Sequence, residues 1–393
     1  MPRKIAAIDL SALPLDDATQ LLRAALDGSG DALLPTAGDA AAERARHELA
    51  AGTALLDGED DPDDPTALVI ATSGSTGPPK GALLQASALR ASARATHDRL
   101  GGPGSWLLAL PTQHVAGVQV LLRSVHAGTV PAVLDLRDGF DLDAFASAAT
   151  DLADRTGRTY TALVPTQLVR MLADGGRALR ALTAFDAVLL GGAAATPALL
   201  DGARAAGVTV VTTYGMSETC GGCVYDGLPL DGVQVKVDDR IRLGGPVVAL
   251  GYRLAPGAPQ FEQSGGTRWF STSDLGELLG ERLTVLGRAD DVLVTGGVKV
   301  SPQAVEAVLA ELLGVNECLV VGVPDAEWGQ RLVVLVVAEP VPSLEALRHS
   351  VSTRLGAAAA PREVVQVESL PTTALGKPDR RAATRLAEAA LSR

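Results

Sequence analysis

Between residues 67 and 213 the sequence keeps returning to one pattern, a short apolar run followed by a stretch with helical spacing. Strand-like runs at 67–73, 106–110, 130–136, 159–164, 187–190 and 208–213 alternate with helical patterns at 87–100, 114–127, 142–154, 166–173 and 197–206. Short apolar runs of this kind suit strands buried on both faces. Their alternation with helices predicts βαβ units and a parallel sheet. Ligands of such sheets bind beyond the carboxyl ends of the strands. The Gly, Ser and Thr clusters follow the strands and so lie at that edge.

At 393 residues the chain is long enough for two or three domains. From about residue 227 the texture changes, and short segments at 233–237, 240–243 and 283–286 predict a smaller antiparallel region. After Gly287-Arg288-Ala289-Asp290-Asp291 comes a compact tail: a helix at 301–313 opened by a Ser-Pro cap pair, strands at 319–323 and 332–338, a helix at 344–355 and a strand at 364–367. The first 65 residues hold helical stretches at 17–26 and 40–50. The run Asp57, Glu59, Asp60, Asp61, Asp63 and Asp64 then reads as a solvated linker or surface turn. The expected architecture is α/β. A large N-terminal domain, 1–288, carries parallel-rich sheets layered with helices plus a small β region; a hinge comes next at 289–291, then a small mobile α+β C-terminal domain at 292–393.

A net charge of −12 argues against nucleic acid and against an anionic membrane surface as partners. No apolar run approaches the roughly 20 residues that span a bilayer. The start, MPRKIAAIDL, lacks the apolar core of a signal peptide, and three cysteines make no disulfide framework. These features predict a cytoplasmic protein with no membrane insertion.

The strongest local signal is Thr72-Ser73-Gly74-Ser75-Thr76-Gly77-Pro78-Pro79-Lys80-Gly81. Hydroxyls, backbone N–H groups and a lysine directly after a buried strand have the chemistry of a polyphosphate cradle. It is not the Walker pattern, in which the lysine precedes Ser or Thr. Only five lysines occur in the chain, and Lys80 is one of them. Glu218 also reads as an acid at a helix start, Asp274 as a turn cap, and Arg288 as a surface partner of Asp290 or Asp291. Cys220-Gly221-Gly222-Cys223 has redox or zinc spacing, but without a second pair or nearby His the structural reading is favoured. Arg123, on an otherwise apolar helix, needs an anionic partner if buried: a core carboxylate, or an acid group on a substrate.

The decamer resembles the phosphate loop of the adenylate-forming superfamily, which includes acyl-CoA synthetases, luciferases and peptide-synthetase adenylation domains. The resemblance runs in order from about residue 67 to the end. Tyr214-Gly215-Met216-Ser217-Glu218 looks like the aromatic-Gly-x-Thr-Glu motif, with Ser in place of Thr. Trp269 to Gly276 looks like the segment whose Asp holds the ribose hydroxyls, and 287–291 looks like the interdomain hinge. Gly296-Gly297 looks like the loop lining the thioester site, and Leu375-Gly376-Lys377 like the adenylation lysine.

The resemblance implies ATP, Mg2+ and coenzyme A as cofactors, and a small carboxylic acid substrate. Catalysis would fall to Lys377, Glu218 and His114. Lys377 would touch the carboxylate and the α-phosphate, and Glu218 would hold Mg2+. Thr72, Ser73, Gly74, Ser75, Thr76, Gly77 and Lys80 would cradle phosphates, joined by Thr213, Tyr214, Gly215, Met216 and Ser217. Asp274 and Arg288 would hold the ribose, and Gly191, Gly192 and Ala193 would let adenine and acid lie against backbone. Asp290 would be the hinge point, and Gly296 and Gly297 would face coenzyme A.

His114 and Arg123 would border the acid pocket with Gly191 and Gly192. Their spacing and the segment 161–168 look like the o-succinylbenzoate–CoA ligases of menaquinone biosynthesis, whose substrate carries two carboxylates. Gln113 departs from the aromatic often found before this His. Rival readings are a ligase for another aryl or fatty acid, a free-standing adenylation domain loading a carrier protein, and a nucleotide-binding protein without catalysis. A homodimer is the candidate assembly.

Overall fold

A computed structural model describes residues 2–72, 79–153, 155, 157–312, 314–372 and 378–391. Two sheets build the core of the first two thirds. In the first, β1 (Ile5–Ile8), β2 (Ala32–Pro35), β3 (Thr66–Thr72) and β4 (Lys80–Gln85) lie in that order, and Gly251–Tyr252 closes the edge. β1, β2 and β3 run parallel, whereas β4 and Gly251–Tyr252 are antiparallel to their neighbours. The first 65 residues thus supply two strands of this sheet, which no periodicity in IAAI or ALLP announces.

The second sheet holds β5 (Gly104–Leu108), β6 (Ala132–Val133), β7 (Arg158–Leu163), β8 (Ala187–Leu190), β9 (Val210–Met216), β10 (Gly221–Tyr225) and β11 (Leu228–Pro229). Its order is β11-β10-β9-β8-β7-β5-β6, parallel from β6 to β9 and antiparallel from β9 to β11. Helices Ala86–Leu100, Val115–Ala127, Leu142–Ala153, Pro165–Asp174 and Pro197–Ala205 connect them, as the alternation predicts. The run at 130–136 makes only two residues of strand, since Pro131 has no N–H to offer the ladder. Two loops differ from expectation. The hydroxyl-rich loop joins two antiparallel strands, so no helix start stands behind it. The acidic run is no mere solvated linker: Glu59 is 3% exposed.

A four-stranded antiparallel sheet (Gln234–Val237, Ile241–Gly244, Thr267–Ser271, Phe261–Ser264) and the hairpin Asp274–Leu279/Arg282–Arg288 come next. The tail has its own sheet, in which Val315–Asp325 and Gly329–Ala338 pair antiparallel, Glu363–Gln366 joins in parallel, and Leu293–Thr295 and Val298–Val300 extend the other end. Helices Pro302–Leu309 and Leu344–Leu355 cover it, the first capped by Ser301, and the helix Arg380–Leu391 completes it. The buried apolar clusters divide between Leu283 and Leu293. Those before the divide contain only residues up to 283, and those after it only residues from 293 onward.

Candidate active site

The turn that ends β9 packs against β3 and β4, and Lys80, Tyr214, Asp274 and Arg288 lie around its Glu218. Ser73, Gly74, Ser75, Thr76, Gly77 and Lys377 lie outside the described residues. Thr72 and Lys80 flank the loop across a register pair, with the Thr72 hydroxyl donating to the Lys80 carbonyl at 3.2 Å.

Two glycines shape the floor. Any Cβ on Gly191 would stand 2.3 Å from Thr213 Oγ1, and one on Gly215 would stand 2.1 Å from the Gly221 carbonyl oxygen. Only glycine lets β8, β9 and β10 close up there. Gly192, in the left-handed region (φ +80°), then turns the chain with Ala193 onto the exposed surface.

Glu218 sits in the short turn Ser217–Thr219 that ends β9, fixed by Thr219, whose Oγ1 accepts from Met216 N at 3.0 Å. It is not the first acid of an α-helix. Its carboxylate is buried and accepts a hydrogen bond from the Tyr252 hydroxyl at 2.6 Å. Burial raises its pKa, and the Tyr252 bond and the Lys80 and Arg288 charges oppose that rise. The Lys80 ammonium lies 5.1 Å from the centre of the Tyr252 ring.

A desolvated carboxylate facing a lysine fits a hard divalent cation, whose charge would offset the burial. Among the described residues no group of three or more His, Cys, Asp or Glu could hold a metal alone.

Asp274 begins the hairpin and is also buried. Its Oδ2 accepts from the Tyr214 hydroxyl at 2.7 Å and its Oδ1 from Arg288 Nη1 at 3.4 Å. Burial, with the neighbouring Asp274 charge, pushes the Tyr214 phenol pKa up, so it stays a donor. The carboxylate is therefore aimed by an aromatic and an arginine and does not cap a turn. Arg288 also pairs with Asp290 at 3.3 Å, the surface pairing that its spacing suggests.

His114 occupies the position before the helix Val115–Ala127, and its carbonyl accepts from Gly117 N and Val118 N. Arg123 lies deep on the same helix. Its guanidinium is 5.0 Å from the Trp106 ring, and Nη2 donates to the Tyr225 hydroxyl at 3.4 Å. Arg123 Nε is buried without a partner, and among the described residues no carboxylate pairs with Arg123. Burial holds its pKa below the usual arginine range.

Asp290 sits in the turn Ala289–Asp291. Gly296 and Gly297, both at positive φ, turn between Leu293–Thr295 and Val298–Val300, with Gly296 beneath the Trp328 ring.

The cysteine pair is structural. Both thiols are fully buried, and burial pushes Cys223 up to about 12. The Cys220 carbonyl accepts from Gln119 Nε2 at 2.7 Å and Ser92 Oγ at 3.2 Å, which ties the turn that carries Glu218 to two helices. Gln119 and Tyr252 belong to the site although no sequence motif points to them. A glutamine among Val118, Val120 and Leu121 is a readable signal; Tyr252 carries none.

An α/β molecule with two separate cores, a buried acid beside a lysine and an arginine-braced aspartate is built to hold a phosphorylated ligand at the mouth of its sheet. The chain belongs to the AMP-binding enzyme family, which matches residues 12–254, and the AMP-binding enzyme C-terminal domain matches residues 304–377. It is 50% identical over 385 residues to the probable 2-succinylbenzoate–CoA ligase of Mycobacterium tuberculosis strain H37Rv, covering 95% of this chain and 97% of that one. It is 31% identical over 338 residues to the 2-succinylbenzoate–CoA ligase of Enterococcus faecalis, covering 79% and 67%. Among solved structures, the o-succinylbenzoate CoA synthetase of Bacillus subtilis in complex with its acyl-adenylate intermediate superposes with a TM-score of 0.70 at 25% identity, covering 96% of this chain and 82% of that one.

Proposed function

We propose that this protein is an AMP-forming acid–CoA ligase that converts o-succinylbenzoate to o-succinylbenzoyl-CoA in menaquinone biosynthesis. The relatives' names support the reaction. The observation that carries the choice of acid is Arg123, a buried guanidinium with no carboxylate partner among the described residues. A buried cation left without an anion is costly. The aromatic carboxylate of a two-acid substrate would supply that anion while the succinyl carboxylate reaches the nucleotide.

The reaction runs in two steps. The carboxylate attacks the α-phosphate of ATP and pyrophosphate leaves; the thiolate of coenzyme A then attacks the acyl carbon and AMP leaves. Both anions must be held close while charge builds on phosphoryl oxygens, so positioning and positive electrostatics do most of the catalysis. Lys80 and the loop 72–77 hold the phosphates. Asp274, aimed by Tyr214 and Arg288, accepts the ribose hydroxyls. Gly191, Gly192 and Ala193, with His114, border acid and adenine. Glu218 would hold Mg2+, which when bound supplies charge neutralisation across the phosphates. Lys377 bridges carboxylate and α-phosphate in the first step. The split of the buried clusters around 289–291 supports two domains, 1–288 and 292–393, and a rotation about Asp290. That rotation brings Gly296 and Gly297 toward coenzyme A for the second step. A cytoplasmic location is consistent with ATP and coenzyme A as substrates.

The test is pyrophosphate release and thioester formation with o-succinylbenzoate against a panel of monocarboxylic aryl and fatty acids. Arg123→Leu should raise KM for o-succinylbenzoate by about tenfold or more and change KM for a monocarboxylate little, the size expected when a buried ion pair loses one partner. Equal KM changes for both acids would refute the anchor, and a wild-type preference for a monocarboxylate would refute the choice of acid.

A further inference from the structure

Tyr252 reaches Glu218 from an insecure footing. The strand Gly251–Tyr252 is two residues long, pairs with Leu83 and Ala82 of β4, and adds a single bridge from Tyr252 to Ala255. Two residues on, Leu254 sits in the left-handed region at φ +58°, which a leucine adopts only when its surroundings impose it. The constraint comes from residues 49–59, a stretch that carries no recognisable motif.

Arg253 and Glu59 form a fully buried ion pair, with side chains 1% and 4% exposed. Every nitrogen of that guanidinium is engaged: Nη1 on Glu59 Oε2, Nε on the Leu49 carbonyl at 3.3 Å, and Nη2 on Thr53 Oγ1 at 2.8 Å and the Ala54 carbonyl at 3.1 Å. The other Glu59 oxygen accepts from Leu254 N at 2.7 Å, and Leu56 N closes the turn on Oε2 at 2.9 Å. The Arg253 amide itself donates to the Gly81 carbonyl at 2.7 Å, next to Lys80. The two residues after Tyr252 are thus pinned, Arg253 to the phosphate-side strand and Leu254 to the acidic segment.

We propose that Glu59 and Arg253 are positioning residues for the metal–nucleotide site: the buried pair fixes the backbone of Tyr252, whose hydroxyl orients the Glu218 carboxylate. The acidic segment then carries an internal strut of the reaction centre. This rests on the reading of Glu218 as the metal-holding acid. Partners that orient a metal ligand typically contribute 10- to 100-fold in affinity.

The experiment measures Mn2+ binding to the full-length protein with a non-reactive ATP analogue, by electron paramagnetic resonance of the free ion, alongside thermal unfolding. Tyr252→Phe, Arg253→Lys and the isosteric Glu59→Gln should each weaken Mn2+ by about tenfold. The double variant Tyr252→Phe with Glu59→Gln should be no weaker than the worse single, because both act through one contact. Asp60→Asn cuts the Arg3–Asp60 pair of the same segment and serves as the control. It should lower the melting temperature and leave Mn2+ affinity unchanged.

Wild-type affinity in folded Glu59→Gln or Arg253→Lys, or full additivity in the double variant, overturns the strut. Glu218→Gln separates the two ideas. If it binds Mn2+ as wild type does, the metal reading fails; if it weakens binding while Tyr252→Phe does not, only the strut fails.

Discussion

His97 is 2% exposed, a setting that favours its neutral ring. Its Nε2 accepts from the Trp106 indole at 3.2 Å, and it stacks on His126 with ring centres 5.8 Å apart. Burial first, then the Arg123 and His126 charges, push its pKa down to about 4. The consequence for stability has a definite sign. An unfolded chain binds this proton near pH 6.5, whereas the native state refuses it until about 4. Above pH 6.5 neither state is protonated and the ring has no effect. As pH falls from 6.5 to 4 the unfolded state gains the proton first, and the fold loses on the order of 3 kcal/mol. His97→Gln keeps a side-chain acceptor for Trp106 and removes the titration. The drop in urea midpoint between pH 7 and pH 4.5 should therefore be smaller in the variant than in wild type; equal drops would mean that the ring is protonated when folded. Arg123 adds to the effect of burial: the guanidinium proposed to meet a carboxylate ligand also disfavours charge on its histidine neighbour.

Strand spacing sets what can pack at the floor of the site, and Gly215 is its tightest point. A methyl there meets the Gly221 carbonyl oxygen at 2.1 Å and Gly222 Cα at 2.7 Å, both backbone atoms that no rotamer can move. Gly215→Ala should therefore destabilise the fold by about 3 kcal/mol, at the upper end of ordinary overpacking, and abolish nucleotide binding. Gly38→Ala, with open space around its site, should do neither. Calorimetric melting and nucleotide titration would decide, and a Gly215→Ala protein that melts and binds like wild type would show that β9 and β10 can part freely. The strands that alternation predicts, β5 and β7 to β9, are legible because each carries a short run of apolar, aromatic or β-branched residues that precedes a periodic helix or a motif. β1 and β2 are not, since four residues of small or apolar side chains carry no period. The strand Lys80–Gln85 stays hidden behind a loop whose composition suggests a phosphate cradle but gives no sign of the hairpin it closes. In the site, Asp274 and Arg288 are readable from their motifs and are joined in space. Glu59 escapes such reading because a run of six acids looks solvated whichever one of them is buried against Arg253.

At the scale of the whole molecule the question is how one lysine near the tail serves a nucleotide held by residues three hundred positions earlier. Three residues after Lys377 in sequence, Arg380 begins the last helix, Arg380–Leu391. Arg380 reaches Glu306 with Nη1 at 2.7 Å and Nη2 at 3.0 Å, donates to the Val320 carbonyl at 2.8 Å, and approaches Asp291 at 3.3 Å. Asp291 also accepts from Gln303 at 2.9 Å, so the turn Ala289–Asp291, the first tail helix and a tail strand meet at one guanidinium. These contacts bind the start of the last helix to the small core, which among the described residues shares no buried apolar cluster with the large one. If the small core moves as a body about 289–291, Lys377 moves with it and is a reagent of one step only. Lys377→Ala should then abolish pyrophosphate release from ATP and the acid, yet still form thioester from coenzyme A and supplied acyl-adenylate at near wild-type rate. Charge-reversing Arg380→Glu, which frees the segment without touching the lysine, should slow the first step and leave the second step intact only if the tether serves Lys377 alone. Equal loss of both half-reactions in Lys377→Ala would mean that the lysine stays at the nucleotide throughout, and the moving-domain mechanism would have to be given up.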